Sequence, residues 1–209
     1  MNYAITIGRQ FGSGGREIGQ RVAQLLNIDY YDKELLTEAA NASGLNAKIF
    51  EAADEKTPKL FANFGALNIG YNSGAYYFGT TPISHSNIYA AQSRVIEELA
   101  QRGPCVIVGR TADYILRKHT TVISTFVHSS IEDRVQRIIA RGDCETPKQA
   151  TELAEKKNKL RADYYKFYTG AQWGNAENYD LCVNSSILGT EGAAQFIVQF
   201  AKTIIEKLT

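Results

Sequence analysis

The sequence predicts an α/β fold, a mostly parallel sheet with helices on both faces. Three observations predict it. Short β-forming runs alternate with helix-period segments along all 209 residues, the pattern of strands joined by crossover helices. The run Cys105-Val106-Ile107-Val108 is apolar at every position, as a strand covered on both faces must be. Five of the 17 glycines (Gly8, Gly12, Gly14, Gly15 and Gly19) cluster where the first strand gives way to the first helix. Glycine costs backbone entropy, so such a cluster marks a loop of special geometry.

The elements follow in order. Tyr3 to Ile7 is rich in β-formers and reads as the first strand. Ile18, Val22 and Leu25 recur at i, i+4, i+7, one face of a helix. A short strand at Ile28 to Tyr31 and a helix from Lys33 to Ala42 come next. From Asn46 to Ser86 the chain carries Gly, Asn, Ser and aromatics without a clean period, and reads as an insert that covers a cleft or packs by its own aromatics. Regularity returns with a helix from Asn87 to Gln101, broken by Gly103-Pro104. The buried strand Cys105 to Val108 follows, then a helix from Thr111 to Lys118, a strand from Val122 to His128 and a helix from Ile131 to Arg141. Thr146-Pro147-Lys148-Gln149 combines a capping box with proline at the first helical position, opening a helix that reaches Tyr164-Tyr165. Tyr179 to Val183 reads as the last strand and Glu191 to Leu208 as the terminal helix.

Composition excludes several classes. The chain is 44% hydrophobic, which argues against wholesale disorder. Its 23 Lys+Arg against 22 Asp+Glu give a net charge of +1, so nucleic acid is not an expected partner. No apolar stretch approaches the roughly 20 residues that span a bilayer, and the first residues lack the basic and apolar regions of a signal peptide. Cys105, Cys144 and Cys182 have no zinc spacing. Cys105 and Cys182 lie in apolar runs and read as buried free thiols. A cytoplasmic protein is expected. The three histidines are isolated, and the sequence suggests no nucleophilic triad.

The turn Gly8-Arg9-Gln10-Phe11-Gly12-Ser13-Gly14-Gly15-Arg16-Glu17 sits where an α/β sheet binds anions. A helix N-terminus offers free N–H groups and a positive dipole end. Glycines let the backbone wrap closely around phosphate oxygens. Gly12, Ser13, Gly14, Gly15, Arg16 and Glu17 are therefore the candidate phosphate residues, with Arg9 and Arg16 adding charge. The Walker A pattern GxxxxGK[ST] is absent. Laid without gaps on the phosphate-binding loop of a nucleoside monophosphate kinase, Gly12 and Gly14 match its glycines, Gly15 takes the lysine position, Arg16 comes next, and Glu17 stands where Thr or Ser would hold Mg²⁺. Arg16 is long enough to supply the missing charge, and Glu17 is a candidate Mg²⁺ ligand. A glycine-rich structural turn is the competing reading.

A second element, Val108-Gly109-Arg110-Thr111-Ala112-Asp113-Tyr114, ends a buried strand, where ligands of open α/β sheets bind. Arg110 and Asp113 stand one helical turn apart, suited to reading a phosphate and a base or sugar, or to a local ion pair. Together with Arg9 to Arg16, Tyr31 to Leu35 and Tyr179 to Ser186, this run resembles the cytidylate kinase-like family across nearly the whole chain. The resemblance implies a single P-loop kinase-type three-layer domain over 1–209, with five parallel strands in order 2-3-1-4-5. It implies Asp32, Arg110 and Asp113 in a nucleoside monophosphate site, the 46–86 insert as the monophosphate-binding region, and a lid over 142–178. It also implies ATP as co-substrate and Mg²⁺. Val108 departs from it at a strand-end position that is often acidic in these kinases.

Lys156, Lys157, Lys159, Arg161 and Lys166 face one acid, Asp163, in the lid stretch. Phosphoryl transfer needs such charge around the migrating group, although a basic run is also an ordinary solvated helix face. Lys157 and Arg161, at i and i+4, share a face and join Arg16 as candidate catalytic residues. Tyr164, Tyr165, Tyr168 and Trp173 read chiefly as packing for the lid. The expected activity is transfer of the ATP γ-phosphate to a nucleoside monophosphate, CMP or dCMP first. The alternatives are a nucleotide-binding protein without kinase activity, or a kinase of another small metabolite.

Overall fold

The computed structural model describes residues 2–32, 85–118 and 121–208. The helix expected at Lys33 to Ala42 and most of the 46–86 insert lie outside the described residues. The elements are β1 (Tyr3–Arg9), α1 (Gly15–Leu26), β2 (Asp29–Tyr31), α2 (His85–Arg102), β3 (Cys105–Val108), α3 (Ala112–Leu116), β4 (Thr121–His128), α4 (Ile131–Ala140), α5 (Pro147–Thr169), β5 (Leu181–Asn184) and α6 (Ser185–Leu208). One 3₁₀ turn, Ala176–Asn178, precedes β5.

The strands form one sheet in the order β2-β3-β1-β4-β5, with every neighbouring pair parallel. This is the order that the family resemblance implies. β1 is central, and residues Tyr3 to Arg9 all pair with β4. Alternation divides its side chains between two cores. Ile5 and Ile7, with Val106 and Val108, face Ile18 and Val22 of α1 and Ile197 of α6. Ala4, Cys105 and Ile107 face Val95, Ile96 and Leu99 of α2 and Ile115 and Leu116 of α3. A smaller third cluster joins α4 to α5 through Val135, Ile138, Ala150 and Ala154.

Helix boundaries differ from expectation at the ends. α2 starts at His85, inside the expected insert. α3 is shorter than expected at both ends: left-handed Thr111 postpones its start to Ala112, and it ends at Leu116 rather than Lys118. α5 runs past the Tyr164-Tyr165 region to Thr169, where Gly170 ends it in a left-handed cap (φ 73°). Its capping box forms: the Gln149 amide donates to Thr146 Oγ1 at 3.3 Å and the Thr146 amide to Gln149 Oε1 at 3.2 Å. α6 begins at Ser185, before the expected Glu191, and its backbone is non-helical at Gly189. Cys105 is buried as expected, but Cys182 is exposed. β5 is an edge strand, and its alternation turns Cys182 away from the core while Val183 faces it.

α1 lies unusually near the sheet. A methyl group on Gly19 would sit 2.8 Å from Val108 Cγ2 and 3.2 Å from Ile7 Cδ1. That approach brings the N-terminus of α1 against the tips of β1 and β3. Gly19→Ala should therefore cost about 1–3 kcal/mol, the usual penalty for overfilling a packed contact. Urea unfolding measures it, and an unchanged midpoint would contradict the close approach.

Candidate functional site

The turn between β1 and α1 is shaped by two left-handed glycines, Gly12 (φ 83°) and Gly14 (φ 77°). Gly12 is pressed on α4, since a methyl there would lie 2.8 Å from the Arg134 carbonyl oxygen. Gly14 is the N-cap of α1 and provides no side-chain cap, so the helix opens with its amides uncovered by a capping side chain. Several bonds hold the turn from outside. The Gln10 amide donates to the Val127 carbonyl at 3.0 Å. The Phe11 amide donates to Asn158 Oδ1 of α5 at 2.7 Å. Ser185 Oγ donates to the Ser13 carbonyl at 2.7 Å.

Ser13 is fully buried. Its hydroxyl donates to the Gln10 carbonyl at 2.9 Å and its amide to the same oxygen at 3.2 Å. This candidate phosphate residue closes the turn from within. Glu17 accepts from Thr190 Oγ1 at 2.9 Å through Oε1. Arg16 Nε pairs with Asp32 Oδ2 at 2.7 Å, and Tyr30 donates to the same oxygen at 3.3 Å. Arg16 was expected at the phosphate from the loop, and Asp32 at the acceptor from the family resemblance; the fold joins them.

A cleft of about 490 Å³ opens beside this turn. Arg9, Arg16, Arg137, Arg141 and Arg161 line it, against Glu17 and Asp32. With Asp32 committed to Arg16, the cleft is strongly positive, although the whole chain is nearly neutral. Arg137 donates from Nη1 to Ser129 Oγ at 3.2 Å and towards the Gly12 carbonyl at 3.4 Å. Arg161 donates to the Arg9 carbonyl at 3.0 Å. The Arg141 and Arg161 guanidinium carbons lie 5.2 and 5.5 Å from the Phe11 ring centre. Such a cleft suits a polyphosphate, whose charge it neutralises. Glu17 borders the same cleft with one carboxylate oxygen held by Thr190, and Mg²⁺ usually keeps water and phosphate ligands beside one or two carboxylates, so Glu17 is the residue there that could hold it. Among the described residues no group of three or more His, Cys, Asp or Glu gathers as a metal centre.

The second element stands next to the first. Gly109, Arg110 and Thr111 are all left-handed, at φ 79°, 60° and 54°. Non-glycine residues pay about 1–3 kcal/mol each for such a conformation, and sites that keep it tend to be functional. Arg110 is only 6% exposed. Arg110, Asp113, Arg161, Tyr165, Trp173 and Arg9 border a small cavity at the carboxyl end of the sheet. Tyr165 of α5 donates to Asp113 Oδ2 at 2.6 Å. Burial raises the Asp113 carboxyl above its ordinary value, and the Tyr165 hydrogen bond opposes the rise.

α5 supplies Asn158, Arg161 and Tyr165 from one face, spaced i, i+3 and i+7. Lys157 is half-buried and is not among the residues lining the cleft or the cavity. Lys156, Lys159 and Lys166 are exposed. The aromatics pack the helix as expected: Tyr168 stacks on Tyr89 at 3.8 Å, Tyr164 lies 6.4 Å from Tyr89, and Trp173 meets Phe126 edge-on at 5.2 Å. Sequence reading passed over Arg137 and Arg141. Their signal was present as an i, i+4 arginine pair on the helix after β4, but nothing in the period shows that this end of α4 borders the turn.

A model of the cytidylate kinase-like family matches residues 4–187. No curated protein matches the chain in sequence. The crystal structure of an uncharacterized protein from Eubacterium ventriosum ATCC 27560 resembles it with a TM-score of 0.69 and 26% identity, over 95% of this chain and 97% of that one. A gluconokinase from Sinorhizobium meliloti 1021 gives 0.54 at 13% identity, over 99% and 97%. A shikimate kinase from Bacteroides thetaiotaomicron gives 0.52 at 11% identity, over 99% of each chain. The last two share the fold of this chain. Among the described residues no helix is long and apolar enough to cross a membrane.

The Asp113 carboxyl gives a direct electrostatic test. Its folded value is raised, so the folded state holds the proton more tightly than the unfolded one. Stability from this group is then present at low pH and is lost as pH rises through the window above the ordinary carboxylate value. Carboxyl-carbon NMR should find Asp113 titrating above that value, and higher still in Tyr165→Phe, which lacks the opposing donor. A wild-type carboxyl titrating in the ordinary range would contradict its burial.

Proposed function

The chain belongs to the cytidylate kinase-like family, and on that footing we propose that it is a nucleotide kinase. It moves the γ-phosphate of ATP to a nucleoside monophosphate, with CMP or dCMP the first candidates. The observation that carries this reading is the cleft lined by five arginines, set against the uncapped start of α1 at the carboxyl end of a parallel sheet.

In this reading the ATP phosphates lie along the turn, against the amides of Gly12 and of Gly14 to Glu17, while Ser13 shapes the turn from within. Arg16 and Arg161, with Arg137 and Arg141, hold the γ-phosphate in line and offset its charge. The acceptor lies on the Arg110 side, with Asp113 towards its sugar or base and Asp32, paired with Arg16, at the cleft end of the site. A phosphate oxygen of the monophosphate attacks the γ-phosphorus. The bond from that phosphorus to the β–γ bridging oxygen breaks, and ADP leaves with the electron pair. No covalent enzyme intermediate is needed, because positioning and charge neutralisation carry such reactions. Mg²⁺, held at Glu17 with the nucleotide, would supply further charge neutralisation. The 142–178 stretch serves as the lid, with α5 excluding water from the reacting groups.

A second reading keeps the nucleotide and drops the transfer. It is favoured by one residue, Gly15, which stands where a Walker loop has its lysine. ADP release measured across a panel of nucleoside monophosphates separates the two. Turnover with CMP or dCMP supports the kinase; ATP binding without turnover for any acceptor supports the second reading.

Arg137→Ala gives a residue-level test. A charge-assisted hydrogen bond contributes about 1.5–3 kcal/mol, so the variant should raise the Kd for ATP roughly tenfold or more. Calorimetry reads the change, and an unaltered Kd would remove Arg137 from the nucleotide site.

A further inference from the structure

The space above Gly15 is already filled. A methyl group on Gly15 would lie 2.5 Å from Arg9 Cβ and 2.9 Å from Arg9 Cγ. At the other end, a methyl on Gly109 would collide with Arg9 Nη1 and lie 2.9 Å from Arg9 Cζ. The Arg9 side chain therefore starts over Gly15 and ends with its guanidinium over Gly109. It crosses from the tip of β1 to the tip of β3. Two absent side chains make room for one long one.

Gly15 does not need to be glycine for its backbone, because it is an ordinary helical residue outside the left-handed region. What excludes a side chain there is Arg9. Gly15 is also the position that the ungapped alignment gives to the Walker lysine. The stem of Arg9 thus occupies the volume into which that lysine would grow. Arg9 borders both the arginine-lined cleft and the small cavity that holds Arg110 and Asp113. Its backbone is fixed by β-pairing to Val127 and by the bond from Arg161 to its carbonyl.

We propose that Arg9 replaces the missing Walker lysine, delivering from the end of β1 the cation that a lysine would deliver from the start of α1. The inference rests on the proposed nucleotide site and goes beyond it by naming the cation at the junction of donor and acceptor. A guanidinium placed there contacts phosphate through two parallel N–H groups and stays charged at any working pH.

The test moves the cation back. ATP binding is measured by calorimetry for the wild-type chain, Arg9→Met, Arg9→Gln, Gly15→Lys and the double variant Arg9→Met/Gly15→Lys, with thermal melting as the folding control. Arg9→Met and Arg9→Gln should each weaken ATP binding tenfold or more. Gly15→Lys alone should lower the melting temperature, because its stem overlaps Arg9. The double variant should regain most of the lost affinity, a result that a purely structural role for Arg9 does not produce. Wild-type ATP affinity in either single Arg9 variant overturns the proposal while leaving the nucleotide site intact. So does a folded double variant that binds no better than Arg9→Met. A wild-type chain that binds no ATP removes the nucleotide site and the role of Arg9 together.

Discussion

The functional end of the molecule depends on how closely α1 is drawn onto the sheet. Val108 and Ile7 lie where a side chain on Gly19 would be. The helix can therefore start almost on the tips of β1 and β3, and its first amides reach the carboxyl end of the sheet. β1 is hydrogen-bonded on both sides, to β3 and β4, so its tip has little freedom. The turn joining these two rigid elements is short and needs left-handed backbone at Gly12 and Gly14. A side chain at either position would also strike a neighbour, the Arg134 carbonyl for Gly12 and the Thr190 methyl for Gly14. The glycines thus answer to packing as much as to a ligand.

Charge in the cleft follows a different design from a Walker loop. There a single lysine grows from the helix and reaches back over the turn. Here five arginines converge from β1, α1, α4 and α5 and the residue just beyond α4. Guanidinium groups are planar and can hold carbonyls, hydroxyls and carboxylates while still presenting charge. Arg137 and Arg161 use that property, each donating to the backbone of the turn it borders. Arg16 uses it on Asp32. The positive field is therefore built into the scaffold rather than carried on one flexible stem.

The order of elements along the chain was legible because each strand and helix carries its own period; the order of strands within the sheet came only from the family resemblance. The turn was legible because glycines cluster there. Depth was less legible. Ser13 looked like a phosphate ligand by position, yet its hydroxyl is turned inward to Gln10. Lys157 shares a helical face with Arg161, but it is Arg161 that reaches Arg9 and the cleft. Helical spacing gives a face and says nothing of which residue on it meets the turn. The pairing of Arg16 with Asp32 was not legible, because nothing local in the sequence shows that the tip of β2 lies beside the start of α1. Arg137 and Arg141 were missed for the same reason, since their role depends on where α4 ends against the turn.

α5 shows how such distant parts are kept in register. Asn158 holds the Phe11 amide, Arg161 holds the Arg9 carbonyl, and Tyr165 holds Asp113. These residues lie on one helical face within two turns, so a helix rise of 1.5 Å per residue spans the contacts in about 10 Å. The first two grip the turn on the cleft side; the third grips the small cavity beyond β3. Moving α5 by one residue would break all three at once, because each contact needs its own side chain opposite its own partner. The helix that lends Arg161 to the cleft is thus also the ruler that sets the cavity against the turn.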